Sequence, residues 1–582
     1  MSQGRAAPKA TFVPSFALAA ILALALIARV VGIRYGLPWL FYFHDEPQVV
    51  LRALRFGTGD LNPHFFIWPA TPLLYLAFAS YIGLFVAGRV LGWWSGKAGF
   101  AAAYFEDPTA FYLLPRLESV AFGLWGVWLA NGLGSAAYGA PVGIAAALGL
   151  AINAVAAHYA HLAHPVTAMT AFTLLGLWAA VKLAEDGGTR ELALGALALG
   201  CGTATQYHAG LLALPLGTAL LLRAAREPRA AIGWIARGIA MGAGGVAIFL
   251  VLVPFAALDF AGFRADLLFI TAKTAGSLGG HAAARGALAG IANFVLTCVV
   301  PGLGVPLALA AAAGAAWALW RRTRADLVLL AFAAGYLLLA GRATSINDRY
   351  AIPLVVPALL FPARLAWDLA GGFASRPRLR AWAPAALIAL LSLPVALELV
   401  ETDVTMTRGD TRVQALGWFQ REVPPHSRVV LDMLRFWNTA TAPLAEDQAR
   451  LAERIDEVTH VSGGGHSSAY LEYYRYRLEH PVAPAYYLRG TGMGAEARPL
   501  AEYRAAGFEY AMTSAEVADP LRAVAAPADS SGPAFYRSLE RECPRLAVFR
   551  PVRWRIRGPE IRVYRIGPPP VPRPRAGAGN TP

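Results

Sequence analysis

Over residues 1–400 long apolar runs alternate with short polar ones, and beyond that point the pattern changes. The first run, from about Phe12 to Ile33, follows Arg5 and Lys9. It is long enough to span a bilayer, which takes about 20 apolar residues. It carries no small-x-small cleavage pattern, so it reads as an uncleaved signal anchor with a cytoplasmic N-terminus. Further runs cover 68–92, 111–137, 140–157, 165–183, 191–205, 209–222, 231–253, 291–320, 326–341, 351–370 and 383–399. Four basic clusters lie between them: Lys182 with Arg190; Arg223, Arg226 and Arg229; Arg321, Arg322 and Arg324; Arg376, Arg378 and Arg380. They fall after every second span and therefore share a side, which the positive-inside rule makes cytoplasmic. The rule is satisfied if 68–92, which contains Pro69, Pro72 and Gly83, is a re-entrant or interfacial hairpin rather than a crossing. The expectation is eleven crossings, with the N-terminus inside and the C-terminus outside.

After Glu401 amphipathic and alternating segments replace the apolar runs. Thr411 to Arg421 reads as a helix with Val413, Leu416, Trp418 and Phe419 as its apolar members. Segments 428–431, 507–513 and 561–566 read as strands, and Ala534 to Arg541 as a second helix. The expected organisation is a multi-pass α-helical membrane domain over 1–400, a small extracytoplasmic α/β domain over 401–567 and a disordered Pro-rich tail over 568–582.

Composition supports this division. The 582 residues are 57% hydrophobic and 15% charged, with a mean hydropathy of +0.46, whereas soluble proteins average about 25% charged residues. Residues 1–400 hold 27 Lys/Arg against 16 acids, and 401–582 hold 24 against 21, so the net +14 comes mostly from the membrane part. It reads as membrane-flanking charge with a preference for anionic lipid, not as nucleic-acid binding. Cys201, Cys298 and Cys543 provide neither a disulfide framework nor a Cys-based metal site. The Ala/Gly/Arg/Pro bias suggests a bacterial source, which places the protein in the plasma membrane.

The topology gathers polar groups on the outer face: the 34–63 loop, His64, Glu106, Asp107, Arg116, His158, His161, His164, the triplet Gln206-Tyr207-His208, the 254–290 loop, and Asp348, Arg349 and Tyr350. Within the first loop, Phe41-Tyr-Phe-His-Asp-Glu-Pro-Gln48 places Asp45 and Glu46 side by side behind His44 and before Pro47. Ionised groups at a membrane boundary are costly and usually functional. A carboxylate there can take the proton of an acceptor hydroxyl, and arginines can hold a departing phosphate. Plainer roles exist for each residue. Asp45 and Glu46 fit the cap of a helix starting at Pro47. Arg116 fits a snorkelling anchor, Arg349 a partner for Asp348, and the three histidines a structural turn rather than a metal site.

Several motifs resemble those of the GT-C glycosyltransferases, with the nearest likeness to glycosyltransferase family 39, which includes protein O-mannosyltransferases and lipid A aminoarabinose transferases. They are His44-Asp45-Glu46; Asn62-Pro-His64 followed by Pro69 and Pro72; Arg116-Leu-Glu-Ser119; His161-Leu-Ala-His-Pro165; and Arg349-Tyr350-Ala-Ile-Pro353, in that order over about 12–400. The resemblance implies a polyprenyl-phosphate-linked sugar donor, used with inversion, and an extracytoplasmic acceptor that is a lipid, glycan or protein. It implies Asp45 as general base with Glu46 beside it in the acceptor site. Arg116 would contact the donor phosphate, with Arg349 and Tyr350 as further donor-site residues, and His44, His64, His161 and His164 remain substrate-site candidates. A divalent metal is left open. The chain departs from the family pattern at Val166, where Asp is frequent, and at Gln206, where Lys is frequent, and it lacks the sugar-binding β-trefoil insert of the eukaryotic mannosyltransferases. Two other readings compete: a transporter or flippase of a lipid-linked or polar substrate, for which paired broken helices are expected, and an oligosaccharide polymerase or ligase of related architecture.

Overall fold

The computed structural model describes residues 15–40, 43, 45–274, 287–343, 347–373, 375–434, 438–460, 467–523 and 531–568. The expected tail over 568–582 lies almost wholly outside them. The chain forms two compact units: 1–33, 45–100 and 109–403 make the first, and 34–44, 101–108 and 404–582 make the second.

The first unit is helical. Among the described residues, six of its helices are long and apolar enough to cross a membrane, or nine if each of three bent pairs counts as one span. The apolar runs expected to cross are all helical, but Phe16–Val30 is shorter than a span, and Thr189–Thr205 and Arg324–Ala340 have 17 residues each. The segment read as a hairpin is instead one continuous helix, Thr71–Val90, of 20 residues. Pro72 sits at its first turn, where the missing N–H costs nothing, and the helix is about 30 Å long, enough to span. In the opposite sense, the run 291–320 is not one straight helix: Leu288–Leu303 and Val305–Arg321 meet at 113°. Gly304 takes φ 76 between Pro301 and Pro306, a conformation open to glycine beside two residues that interrupt a helix ladder.

Small residues let these helices approach closely. A Cβ on Gly143 would lie 2.5 Å from the Asn131 carbonyl oxygen, and one on Gly314 would lie 2.4 Å from the Phe361 backbone. Polar side chains close the breaks. The carbonyls of Leu150 and Ala151 end the Ala140–Ala151 helix and accept from Arg29 at 3.1 and 3.2 Å. Asn153 caps the next helix, Ala154–Ala160, by accepting from the Ala156 N–H. The same side chain donates to the Gly302 carbonyl at 2.8 Å.

The second unit carries a six-stranded sheet: β1 (Arg428–Leu431), β2 (Ala445–Glu446), β3 (Ala485–Gly490), β4 (Tyr510–Ser514), β5 (Arg545–Phe549) and β6 (Ile561–Arg565). The spatial order is β2-β3-β1-β4-β6-β5. β2, β3, β1 and β4 pair in parallel, and β6 pairs antiparallel with β4 and β5. Both faces are covered. Val429 and Leu431 point into one layer with Phe419, Tyr486 and Met512, while Val430 points into the other with Phe508, Phe535 and Tyr536. This is the period of two expected of a strand. Segment 34–40 belongs to this unit through Tyr35: its hydroxyl donates to Asp410, and it accepts from Arg412 at 2.9 Å.

Asp432 follows β1 and is fully buried. It accepts from the hydroxyls of Tyr536 at 2.6 Å and Thr491 at 3.0 Å and from the Ser514 N–H at 2.9 Å. Burial pushes its carboxyl up to about 6, against these three donors. The folded state therefore holds this proton more firmly than the unfolded chain does. Its contribution is complete below about pH 4 and is lost as pH rises through about 6. Compared with Asp432→Asn, the wild type should lose about 2–3 kcal/mol of stability between pH 4 and pH 7. Thermal unfolding of the two purified proteins across that range checks this, and a difference that does not change with pH contradicts it.

Candidate active site

Pro47 lies in the first turn of the helix Glu46–Arg55, and Asp45 occupies the N-cap position at φ −87, ψ −17. Its side chain makes no capping hydrogen bond, so the capping role does not describe it. Its carboxylate is turned elsewhere: Oδ2 lies 3.4 Å from Nη2 of Arg349 and 3.8 Å from Nε2 of His164. Nδ1 of His164 accepts from the Val166 N–H at 3.2 Å. A neutral ring therefore carries its proton on Nε2, towards Asp45. The Trp68 and Tyr159 rings each stand 5.8 Å from the His164 ring.

Glu46, one residue on, faces a different environment. It is 2% exposed and Arg116 is 0% exposed. Nε and Nη2 of Arg116 donate to its two carboxylate oxygens at 2.8 and 2.7 Å, and the Ala163 N–H donates to Oε1 at 2.9 Å. Nη1 of Arg116 donates to the Ile33 carbonyl at 2.6 Å. Each nitrogen of the guanidinium is thus engaged inside the protein. The expectation at Arg116 was a phosphate contact; here the buried guanidinium is held in a two-pronged pair with Glu46. The pair fastens four segments together: the start of the Glu46–Arg55 helix, the Thr109–Tyr138 helix that carries Arg116, the turn at Ile33 that follows the Ser15–Val30 helix, and the 161–165 turn that carries His164. The snorkelling alternative for Arg116 fails for the same reason.

Arg349 lies in the 3-10 turn Asp348–Ala351 that opens the Ile352–Leu369 helix. Its side chain does not pair with Asp348, the plainer role considered above. Its backbone N–H donates to Asp348 at 2.8 Å, and Asp348 accepts from the Tyr159 hydroxyl at 2.7 Å. The guanidinium is left to reach Asp45 and stands 5.6 Å over the Tyr350 ring. The Tyr350 ring is 5.6 Å from the His208 ring. Sequence reasoning named Asp45, His164, Arg349 and Tyr350. It missed the Tyr159–Asp348 bond that sets Arg349, and it missed Trp68, which the Asn-Pro-His stretch leads into.

The other histidines are placed apart from this carboxylate. His161 is fully buried, with its ring nitrogens facing the carbonyls of Ala157 and Val31 at 2.9 and 2.8 Å. His64, at φ 47, sits with Asp60 at 2.9 Å and Asp259 at 4.0 Å. His44 lies outside the described residues. Among the described residues no three His, Cys, Asp or Glu side chains are grouped to hold a metal ion. At Asp45 the neighbouring charge is the Arg349 guanidinium, 3.4 Å from Oδ2.

No protein-family model matches the chain, and no curated protein matches it. Among solved structures, it is similar to ArnT from Cupriavidus metallidurans bound to undecaprenyl phosphate, with a TM-score of 0.48, 13% identity, and coverage of 95% of this chain and 99% of that one. It is also similar to the oligosaccharyltransferase AglB from Archaeoglobus fulgidus in complex with an inhibitory peptide and a dolichol-phosphate, at 0.43 and 11%, covering 86% and 69%. A third similarity is to the arabinofuranosyltransferase AftD from Mycobacteria, at 0.39 and 14%, covering 96% and 42%.

Removing one member of a buried ion pair strands the other and typically costs about 3–5 kcal/mol. Glu46→Gln and Arg116→Met should each lower the unfolding temperature markedly in detergent. The double variant should lose less than the sum, because the stranded charge is gone. Wild-type stability in Arg116→Met contradicts a fastening role.

Proposed function

We propose that the protein is a membrane glycosyltransferase that moves a sugar from a polyprenyl-phosphate-linked donor to an extracytoplasmic acceptor, with inversion. The observation that carries the reading is the position of Asp45. It is a carboxylate at the edge of an apolar helical unit that makes no side-chain cap bond, with a guanidinium on one side and an imidazole on the other. The lipid carrier and the acceptor class come from the motif resemblance.

In this scheme the acceptor hydroxyl gives its proton to Asp45 as its oxygen attacks the anomeric carbon. The bond from that carbon to the phosphate oxygen breaks, and the electron pair leaves with the lipid phosphate. Arg349 then holds the phosphate charge that appears, with Tyr350 beside it. A positioned base contributes about 10²–10⁴-fold to such a step, and a charge-assisted contact about 1.5–3 kcal/mol. His164 orients the Asp45 carboxylate, and Glu46 with Arg116 holds the frame. Glu46 is thereby moved from the acceptor site to a positioning role. The scheme sends no step through a metal.

The membrane is read as a bacterial plasma membrane, with Thr71–Val90 lying in the interface rather than crossing, so that the four basic clusters place the N-terminus inside and the 401–567 domain outside. The bent spans by themselves fit a transporter. At two of the breaks, however, polar groups are engaged within the protein: Arg29 and Asn153 fill the break at Ile152, and Asn153 reaches across to the Gly302 carbonyl beside the bend at Gly304. That favours an enzyme over a mid-membrane transport site.

The test uses the protein in nanodiscs with polyprenyl-phosphate sugars as donors. Arg349→Gln should raise the donor KM by about 10–100-fold, the scale of a lost charge-assisted contact. Arg349→Lys should recover part of it, since a point charge lacks the planar fork. Unchanged donor use by Arg349→Gln overturns the phosphate assignment. Movement of lipid-linked substrate across the bilayer with no transfer to any acceptor overturns the enzyme reading.

A further inference from the structure

The connection from β5 to β6 has a composition that the sheet does not require. From Arg550 to Glu560 it holds four arginines, Arg550, Arg553, Arg555 and Arg557, and one acid, Glu560, which pairs with Arg550 at 2.9 Å. Its distal part folds into a narrow hairpin: Val552 and Ile556 exchange backbone bonds at 2.9 and 2.8 Å, and the Arg555 N–H closes on the Val552 carbonyl at 2.9 Å. Residues 551–555, Pro-Val-Arg-Trp-Arg, are all exposed. Trp554 holds the left-handed φ of 62 at the tip, a conformation a bulky residue rarely takes. The chain thus presents an exposed indole between two guanidinium groups.

The base of the hairpin is bonded to two short stretches of the same unit. Arg408 donates to the Trp554 carbonyl at 2.7 Å. Arg557 and the 409–411 stretch exchange backbone bonds at 2.9 Å. The Arg557 guanidinium lies 5.6 Å over the Tyr35 ring. Arg408 comes two residues after the apolar helix Leu393–Met406 ends, and Tyr35 five residues after Ser15–Val30 ends. A chain reaches at most about 3.5 Å per residue. The hairpin base is therefore bonded to residues that follow two apolar helices by only two and five positions along the chain.

We propose that this tip, Val552 to Arg555, docks on the anionic lipid headgroups of the bilayer and anchors the sheet domain to the membrane surface. Indole rings favour the headgroup level. Guanidinium groups bind lipid phosphates in a two-pronged manner, and basic side chains gain further from a negatively charged surface. The tip is a three-residue turn, Arg553 to Arg555, closed between Val552 and Ile556. The anchoring is independent of the proposed sugar transfer.

Two readouts on the full chain test it, in nanodiscs of zwitterionic phosphatidylcholine and in nanodiscs with a third phosphatidylglycerol. A spin label on Val552→Cys, with the three native cysteines replaced by alanine, should be several-fold less accessible to a soluble nickel complex in the anionic discs. An exposed control site, Glu496→Cys, should not change. Raising the salt should weaken the difference, because the attraction is screened within about 8–10 Å. The unlabelled wild type should unfold at higher temperature in anionic discs, and Arg553→Gln/Arg555→Gln should lose that gain. This second readout stands even if the cysteine-free chain folds poorly. Equal nickel access in both lipids, or the same thermal gain in wild type and double variant, overturns the proposal.

Discussion

The Glu46–Arg116 pair is the contact on which the site depends. Two parallel N–H···O bonds between fully buried groups fix direction as well as distance. Burying such a pair is not itself a large source of stability, since the cost of removing two charges from water offsets most of their attraction. Its effect is on register. Glu46 also accepts from Ala163, so the pair sets the 161–165 turn against the start of the Glu46–Arg55 helix. Asp45 precedes that helix and His164 sits on that turn. The 3.8 Å between them is a consequence of the pair one residue away.

A second constraint acts from the other side. The Tyr159–Asp348 hydrogen bond occupies the carboxylate nearest to Arg349 in sequence and releases the guanidinium towards Asp45. Adjacent carboxylates thus have distinct tasks at both ends of the site. Glu46 and Asp348 are held by internal donors and build the frame. Asp45 is left facing Arg349 and His164. Two neighbouring acids acquire different roles from their surroundings, not from their chemistry.

Much of this was legible in the sequence, and the rest was hidden for definite reasons. Apolar runs marked the helices because the bilayer demands length and composition, which sequence records directly. They did not mark the bend at Gly304, because a break flanked by prolines leaves hydropathy unchanged. In the sheet domain, β1, β4 and β6 were recognisable by their β-branched or alternating residues. Ala485–Gly490 was not, since it is covered on both faces and shows no alternation. In the site, residue type and order named Asp45, His164 and Arg349, which the fold brings together. The pairing of Glu46 with Arg116 was hidden because an arginine's partner is a matter of tertiary contact across 70 positions.

The central claim is that Asp45 does chemistry while Glu46 holds structure. The direct measurement takes Asp45→Asn and Glu46→Gln side by side and reads sugar transfer and thermal stability for each. Asp45→Asn keeps shape and most hydrogen bonding but removes basicity. It should leave the unfolding temperature near that of the wild type while transfer falls by about 10²–10⁴-fold. Glu46→Gln should lower the unfolding temperature, with transfer falling only as far as the loss of folded protein and site order dictates. Near-normal transfer by a well-folded Asp45→Asn would contradict the account.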